Sequence, residues 1–213
     1  MDAYTNGMTS LPDRTPTAPT ARTGPPHDFA ASRRRLAGFT GAGYDRGRNT
    51  IWQIGWMLTS GLITSRWWCP PSIRAAILRG FGATIGRGVN IRHGVRIHWP
   101  WKLTVGHNSW IGEQTWILNL EPVTIGDDVC ISQDVFLCTG SHDRHSPTFE
   151  FDNAPIVVQD GAWVAARATI LRGTVVGRDS VIGATALVRG NVAPGSVILG
   201  AAATNHSPSG RPA

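Results

Sequence analysis

A chain of 213 residues suits one domain with a sizeable core. Hydrophobic residues make up 41% and charged residues 16%, a balance that excludes disorder throughout. The formal charge of +6 sits wholly in residues 1–80, with ten Arg against four Asp, while residues 81–213 carry ten cations and ten anions. A neutral main body without a binding motif argues against nucleic acid as a partner. No apolar run reaches the roughly 18 residues of a spanning helix, and the opening residues lack the pattern of a cleaved leader. Three cysteines (Cys69, Cys130 and Cys138) with no C-x-x-C give no support to a disulfide framework or a cysteine zinc site. The cytoplasm is the expected compartment.

Residues 1–44 read as a disordered tail rich in Pro, Thr and Arg, with too little apolar surface to offset the entropy of ordering. The cluster Arg33-Arg34-Arg35 is either a solvated linker or a phosphate or membrane contact. Residues 45–80 read as a helical cap. Ile51, Trp52, Ile54, Trp56, Met57, Leu58, Leu62 and Ile63 make one apolar helix, stopped before Pro70-Pro71. Ser72 is positioned to cap a second helix, Ile73–Arg79, that ends at Gly80. Trp and Arg beside an apolar helix fit either a lid on the main domain or an interfacial helix at a membrane.

From residue 85 the chain repeats. An aliphatic residue recurs every six positions at Ile85, Ile91 and Ile97; Val105, Ile111 and Ile117; Ile125, Ile131 and Leu137; Val158, Val164 and Ile170; and Val176, Ile182 and Val188. All fifteen are Ile, Leu or Val, types that fill only 43 of 213 positions. Thirteen of the fifteen fifth positions are Ser, Thr, Ala or Val, and the exceptions are Trp101 and Glu121. Gly follows the aliphatic residue in six hexads, which predicts tight corners there. Grouped in threes, the hexads give coils 85–102, 105–122, 125–142, 158–175 and 176–193, separated by insertions of two, two, fifteen and no residues. Every insertion falls at one phase, so all loops, including 143–157, leave one corner of a rigid scaffold.

This repeat resembles the left-handed parallel β-helix of the hexapeptide-repeat acyltransferases, which implies an all-β main domain (81–200) of about five triangular coils with N-terminal helices and a flexible tail, 201–213. The resemblance sharpens in Pro100-Trp101-Lys102, Asn108-Ser109-Trp110-Ile111-Gly112-Glu113, Pro122-Val123-Thr124-Ile125-Gly126, Cys138-Thr139-Gly140-Ser141-His142-Asp143 and Asp160-Gly161-Ala162-Trp163. These are similar to colanic-acid-type exopolysaccharide O-acetyltransferases and, more widely, to maltose, galactoside and nodulation-factor acetyltransferases, over about residues 45–200.

His142 ends the third coil where the long loop departs, and a His titrating near neutrality suits general-base work. The resemblance implies direct acetyl transfer from acetyl-CoA to a sugar hydroxyl, with His142 as the base. An ordering partner for the imidazole is expected to be a carbonyl or a carboxylate, with Glu121 and Asp143 as candidates, and Asn119 aligns with an acceptor contact. Backbone N–H groups near Ala165 and Ala166 would meet the developing oxyanion. Trp163, Ala184 and Arg189 would hold the donor, with Arg172 and Arg178 as further phosphate candidates. A homotrimer with its active site between subunits is implied, with no metal. The expected acceptor is a sugar or a lipid-linked oligosaccharide, and the basic, Trp-bearing residues 33–80 would suit peripheral contact at the inner face of the membrane. Other readings are a zinc enzyme like the γ-class carbonic anhydrases, using His93, His98 and His142, and a non-catalytic scaffold. Cys138 as an acyl carrier is set against a coil-lining thiol. Trp99-Pro100-Trp101 either stacks on sugar or fills the first corner.

Overall fold

The computed structural model describes residues 34–202, and what the sequence implies for residues 1–33 and 203–213 lies outside the described residues. The hexad residues stack coil upon coil. Ile85, Val105, Ile125, Val158 and Val176 sit side by side in a five-stranded parallel sheet. Ile91, Ile111, Ile131, Val164, Ile182 and Ile198 do so in a second, six-stranded sheet. Ile97, Ile117, Leu137, Ile170 and Val188 form the third. Three parallel sheets wound in this order make a parallel β-helix of about six turns. Its axis is filled by these stacked side chains, nearly all buried, each contributing about 1.5–3 kcal/mol.

The helix runs beyond the five coils expected. Val192 bridges Val176, and a short strand Val197–Ile198 extends the second sheet. Here the chain passes from Val188 to Val192 in four residues instead of six, so the hexad count breaks although the stacking continues.

The glycines after the aliphatic residues have a different cause from the one expected. They do not take positive φ; the fourth position of the hexad does, as at Asn108 (57°), Asp128 (54°) and Asp179 (56°), where Asn and Asp tolerate the left-handed region. The second-position glycines are needed because adjacent coils nearly touch. A Cβ on Gly86 would lie 2.6 Å from the backbone of Gly106, and one on Gly112 2.6 Å from the backbone at residues 132–133.

Two helices follow the N-terminal strap of residues 34–49. Helix α1 (Thr50–Thr59) is capped by Asn49, whose side chain accepts from the Trp52 N–H, and continues as a π-helical turn, Ser60–Thr64. Helix α2 spans Pro71–Gly80. It starts earlier than expected: Pro71 occupies the first turn, where a missing N–H costs nothing, so Ser72 lies inside the helix and is not the cap. Arg74 ties this cap to the coils. Arg74 is 2% exposed, and its guanidinium donates to the carbonyls of Thr64, Arg66, Cys69 and Ile91. Arg74→Ala strands these carbonyls without a donor and is expected to cost about 3 kcal/mol. The loss should appear as a lower denaturation midpoint, and an unchanged midpoint would contradict the tie.

Candidate active site

The site forms at the corner between the third and first sheets, where every insertion leaves. Residues 141–143 and 150–152 pair across the base of the long loop: Asp143 N–H donates to the Glu150 carbonyl (2.8 Å), Asp152 N–H to the Ser141 carbonyl (2.9 Å), and His142 bridges Phe151. The loop thus returns its far end to His142. The imidazole Nδ1 lies 2.7 Å from the Phe149 carbonyl oxygen. A carbonyl only accepts, so Nδ1 carries the hydrogen, and in the neutral ring Nε2 is the free base. Phe149 holds φ at 58°, a backbone state that a bulky residue rarely adopts, and this turn aims its carbonyl at the ring.

Aromatic rings wall the imidazole. Phe149 stacks on it at 4.3 Å with planes 5° apart, Phe151 lies at 5.1 Å, and Phe39 meets it edge-on at 5.7 Å. Phe39 belongs to residues 34–44, a segment that composition assigns to the tail. This strap is held against the loop. Glu150 accepts from the Thr40 N–H (3.0 Å), the Thr40 hydroxyl (3.1 Å) and the Gly41 N–H (3.0 Å). Those donors, the Thr40 N–H foremost, keep the Glu150 carboxyl below its ordinary range. Arg35 N–H donates to the Pro147 carbonyl, and Arg34 lies over the Phe149 ring.

A groove of about 700 Å³ opens beside His142, lined by Asp143, Arg144, Asp152, Arg172 and Arg189 among others. His142, Asp143 and Arg189, three of the expected site residues, therefore share one cavity. Arg172 is paired with Asp152 and Arg178 with Asp160, whereas Arg189 has no ionic partner among the described residues.

Other expected residues stand elsewhere. Asn119 is fully buried and does not face the groove. Its Oδ1 accepts from the N–H groups of His98 and Trp99, and its Nδ2 donates to the Trp99 carbonyl, so it staples the first corner. The imidazole is oriented by neither Glu121 nor Asp143. Glu121 sits one coil earlier at the same corner, with its N–H on Thr139 Oγ1, and Asp143 Oδ1 accepts from the His145 N–H within the loop. The Ala165 N–H donates to the Ile182 carbonyl in the sheet ladder, so that donor is occupied, while the Ala166 N–H has no partner among the described residues. Trp163, 48% exposed, lies on the outer side of the second sheet beside Cys130, with its indole N–H on Ser132 Oγ (3.0 Å). Ser132 lines a second groove of about 300 Å³ with Arg92, Trp110 and Glu113. Ala184 is exposed just past the end of a second-sheet strand, Val181–Ile182. Within one chain, then, Trp163 and Ala184 do not join the His142 groove.

The remaining candidates resolve simply. Trp99 is buried, stacks on Trp101 at 4.8 Å and donates to the Tyr44 hydroxyl, so the Trp pair fills the corner. The half-buried Cys138 thiol lies on the outer side of its strand rather than lining the coil; burial raises its pKa, which disfavours a thiolate nucleophile. His93 faces Glu113, His98 packs on Trp99, and among the described residues no three His, Cys, Asp or Glu side chains gather around one point. Sequence alone does not single out Phe149, Glu150 and Phe151; the available signal is an aromatic-acid-aromatic run within the long loop.

Comparison with known proteins follows the same lines. The Escherichia coli (strain K12) protein named as the colanic acid biosynthesis acetyltransferase WcaF is 38% identical over 157 residues, 72% of this chain and 85% of its own. Galactoside O-acetyltransferase of the same organism is 27% identical over 130 residues, 60% of this chain and 64% of its own. The hexapeptide-repeat acetyltransferase VCA0836 of Vibrio cholerae, complexed with acetyl coenzyme A, superposes with a TM-score of 0.67 at 22% identity, covering 78% of this chain and 90% of that one. A galactoside acetyltransferase in complex with coenzyme A gives 0.65 at 23% identity, covering 70% and 76%. No family model matches the chain. Fold and relatives together define an acyltransferase on a left-handed β-helix. The chain belongs to the hexapeptide-repeat acetyltransferase family, to which WcaF belongs.

Because the Glu150 pKa is lowered in the folded chain, its latch on the strap holds above the ordinary carboxylate range and is lost as pH falls through the lowered value. Glu150→Gln is expected to raise hydrogen exchange in residues 35–44 and 143–151 at neutral pH, leaving the coil strands protected. The wild type should show the same change only in acid. Equal protection of wild type and variant at neutral pH would contradict the latch.

Proposed function

We propose that this chain moves an acetyl group from acetyl-CoA to a sugar hydroxyl in the synthesis of exopolysaccharide or a related glycoconjugate, by direct transfer with His142 as general base. The observation that carries this reading is the bond from Nδ1–H to the Phe149 carbonyl, which leaves Nε2 unprotonated in a ring lining a groove large enough for substrate. The relatives add the chemistry: WcaF is named for colanic acid, and the Vibrio cholerae protein is complexed with acetyl coenzyme A.

The residues fit such a donor. Acetyl-CoA supplies an activated thioester. Arg189, unpaired in the groove, suits a phosphate, the exposed Trp163 ring offers an apolar wall, and the Ala166 N–H offers a free backbone donor. Trp163 and the His142 groove lie on different sides of one prism, which supports a site completed between neighbouring chains of a homotrimer. In the reaction the hydroxyl oxygen bonds to the thioester carbon as its proton passes to Nε2 of His142. The carbon–sulfur bond breaks, and His142 returns the proton to the departing sulfur as a thiol. A carbonyl partner at Nδ1 orients the ring through both transfers. Lipid-linked oligosaccharide is the acceptor form suited to a site at the inner membrane face.

Thiol release from acetyl-CoA over a panel of sugars and nucleotide sugars tests this. Acceptor-dependent release is expected, and His142→Ala should lower kcat by about 10²–10⁴-fold while acetyl-CoA still binds by calorimetry. Arg189→Ala should raise KM for acetyl-CoA more than it lowers kcat. Release that survives His142→Ala would overturn the base, and no release with any acceptor would overturn the activity.

A further inference from the structure

Helix α1 is amphipathic in the wrong sense for a helix facing water. Its inward residues include Gln53 and Trp56, 7% and 2% exposed, and Gln53 is kept satisfied by donating to the Arg48 carbonyl. Its outward stripe, at spacings of three and four residues, is Ile51, Ile54, Leu58 and, in the π-helical turn, Leu62, at 81%, 53%, 59% and 62% exposed. Trp67 and Trp68, in the turn that follows, stand 81% and 55% exposed. An apolar face of this size on a described surface calls for an occupant.

Charge says which. From residue 46 to residue 112 the chain has nine cations and not one Asp or Glu. Arg48 and Arg66 are exposed within this stretch; Arg48 lies over the Trp52 ring at 5.7 Å and Arg66 directly precedes Trp67, whereas the Arg79 guanidinium is turned to the carbonyls of Ile85 and Gly86. Arg side chains of this kind can lay their stems on an apolar surface and keep their heads at its polar edge. No described helix is long and apolar enough to cross a membrane, so an apolar stripe with Trp beside it and cations around it suits a helix lying in the interface plane.

We propose that the outward face of α1, with Leu62, Trp67 and Trp68, docks this protein on an anionic lipid bilayer, with the surrounding arginines facing lipid headgroups. This rests on the cap alone and not on the acetyl-transfer reading. The full chain would be floated with vesicles containing phosphatidylglycerol and with vesicles of phosphatidylcholine alone. Flotation with the anionic vesicles is expected, weakened by half-molar salt as screening requires, with quenching of Trp fluorescence by brominated acyl chains. The combined substitution Ile51→Ser, Leu62→Ser, Trp67→Ser and Trp68→Ser should lower partitioning at least tenfold. All four side chains are exposed, so its circular dichroism and denaturation midpoint should match wild type. Absence of flotation, or flotation that the substitutions leave unchanged, would overturn the proposal. A change in sedimenting mass without a change in flotation would assign the face to a second copy of the chain and overturn it equally.

Discussion

Everything in this molecule depends on the stacking of one aliphatic side chain upon another at each corner-to-corner step of the prism. Parallel strands only two or three residues long have little stability alone. They persist because Ile91, Ile111, Ile131, Val164 and Ile182 form one uninterrupted buried column, and two more columns do the same. A one-residue slip would turn such a column outward, so the register is fixed. The coils also approach too closely at Gly86 and Gly112 to admit a side chain, which holds their spacing. With register and spacing fixed, an insertion can leave only at a corner, and here all of the insertions share one.

That constraint turns a mobile kind of segment into a positioning device. The loop after His142 is tied at its base by the pairing of 141–143 with 150–152, and at its far side by the Glu150 latch to Thr40 and Gly41. Between those ties Phe149 takes a left-handed backbone and presents its carbonyl to the imidazole. A carbonyl, which can only accept, fixes the tautomer as a carboxylate would. The stacked Phe149 and Phe151 rings hold the plane of the imidazole. The imidazole is thus oriented chiefly by neutral groups.

The fold was legible because its cause is periodic: one residue type every six positions, with breaks that all fall at one phase. Legibility failed where the period did. The step from Val188 to Val192 is short by two residues and hid the last turn. It failed also where the same residue serves two geometries, as with glycines read as corners that are in fact required by close approach. In the site, His142 could be found because it ends a coil where a loop begins. Its partner could not, because the Phe149 carbonyl is a backbone group whose direction depends on an unusual dihedral and on a strap more than a hundred residues distant, seen in the Thr40–Glu150 bonds. Asn119 illustrates the opposite error: a polar residue whose side-chain hydrogen bonds all turn inward to hold the corner at His98 and Trp99.

One proton, at Nδ1 of His142, decides whether Nε2 can act as the base. Long-range ¹H–¹⁵N correlation spectra of ¹⁵N-histidine protein, with the resonance assigned by His142→Gln, report the tautomer directly. A neutral ring protonated at Nδ1, with an unprotonated Nε2, is the expected result. A neutral ring that carries its hydrogen at Nε2 and leaves Nδ1 bare would show that the Phe149 carbonyl does not set the tautomer and would contradict the assignment of His142 as a prepared base.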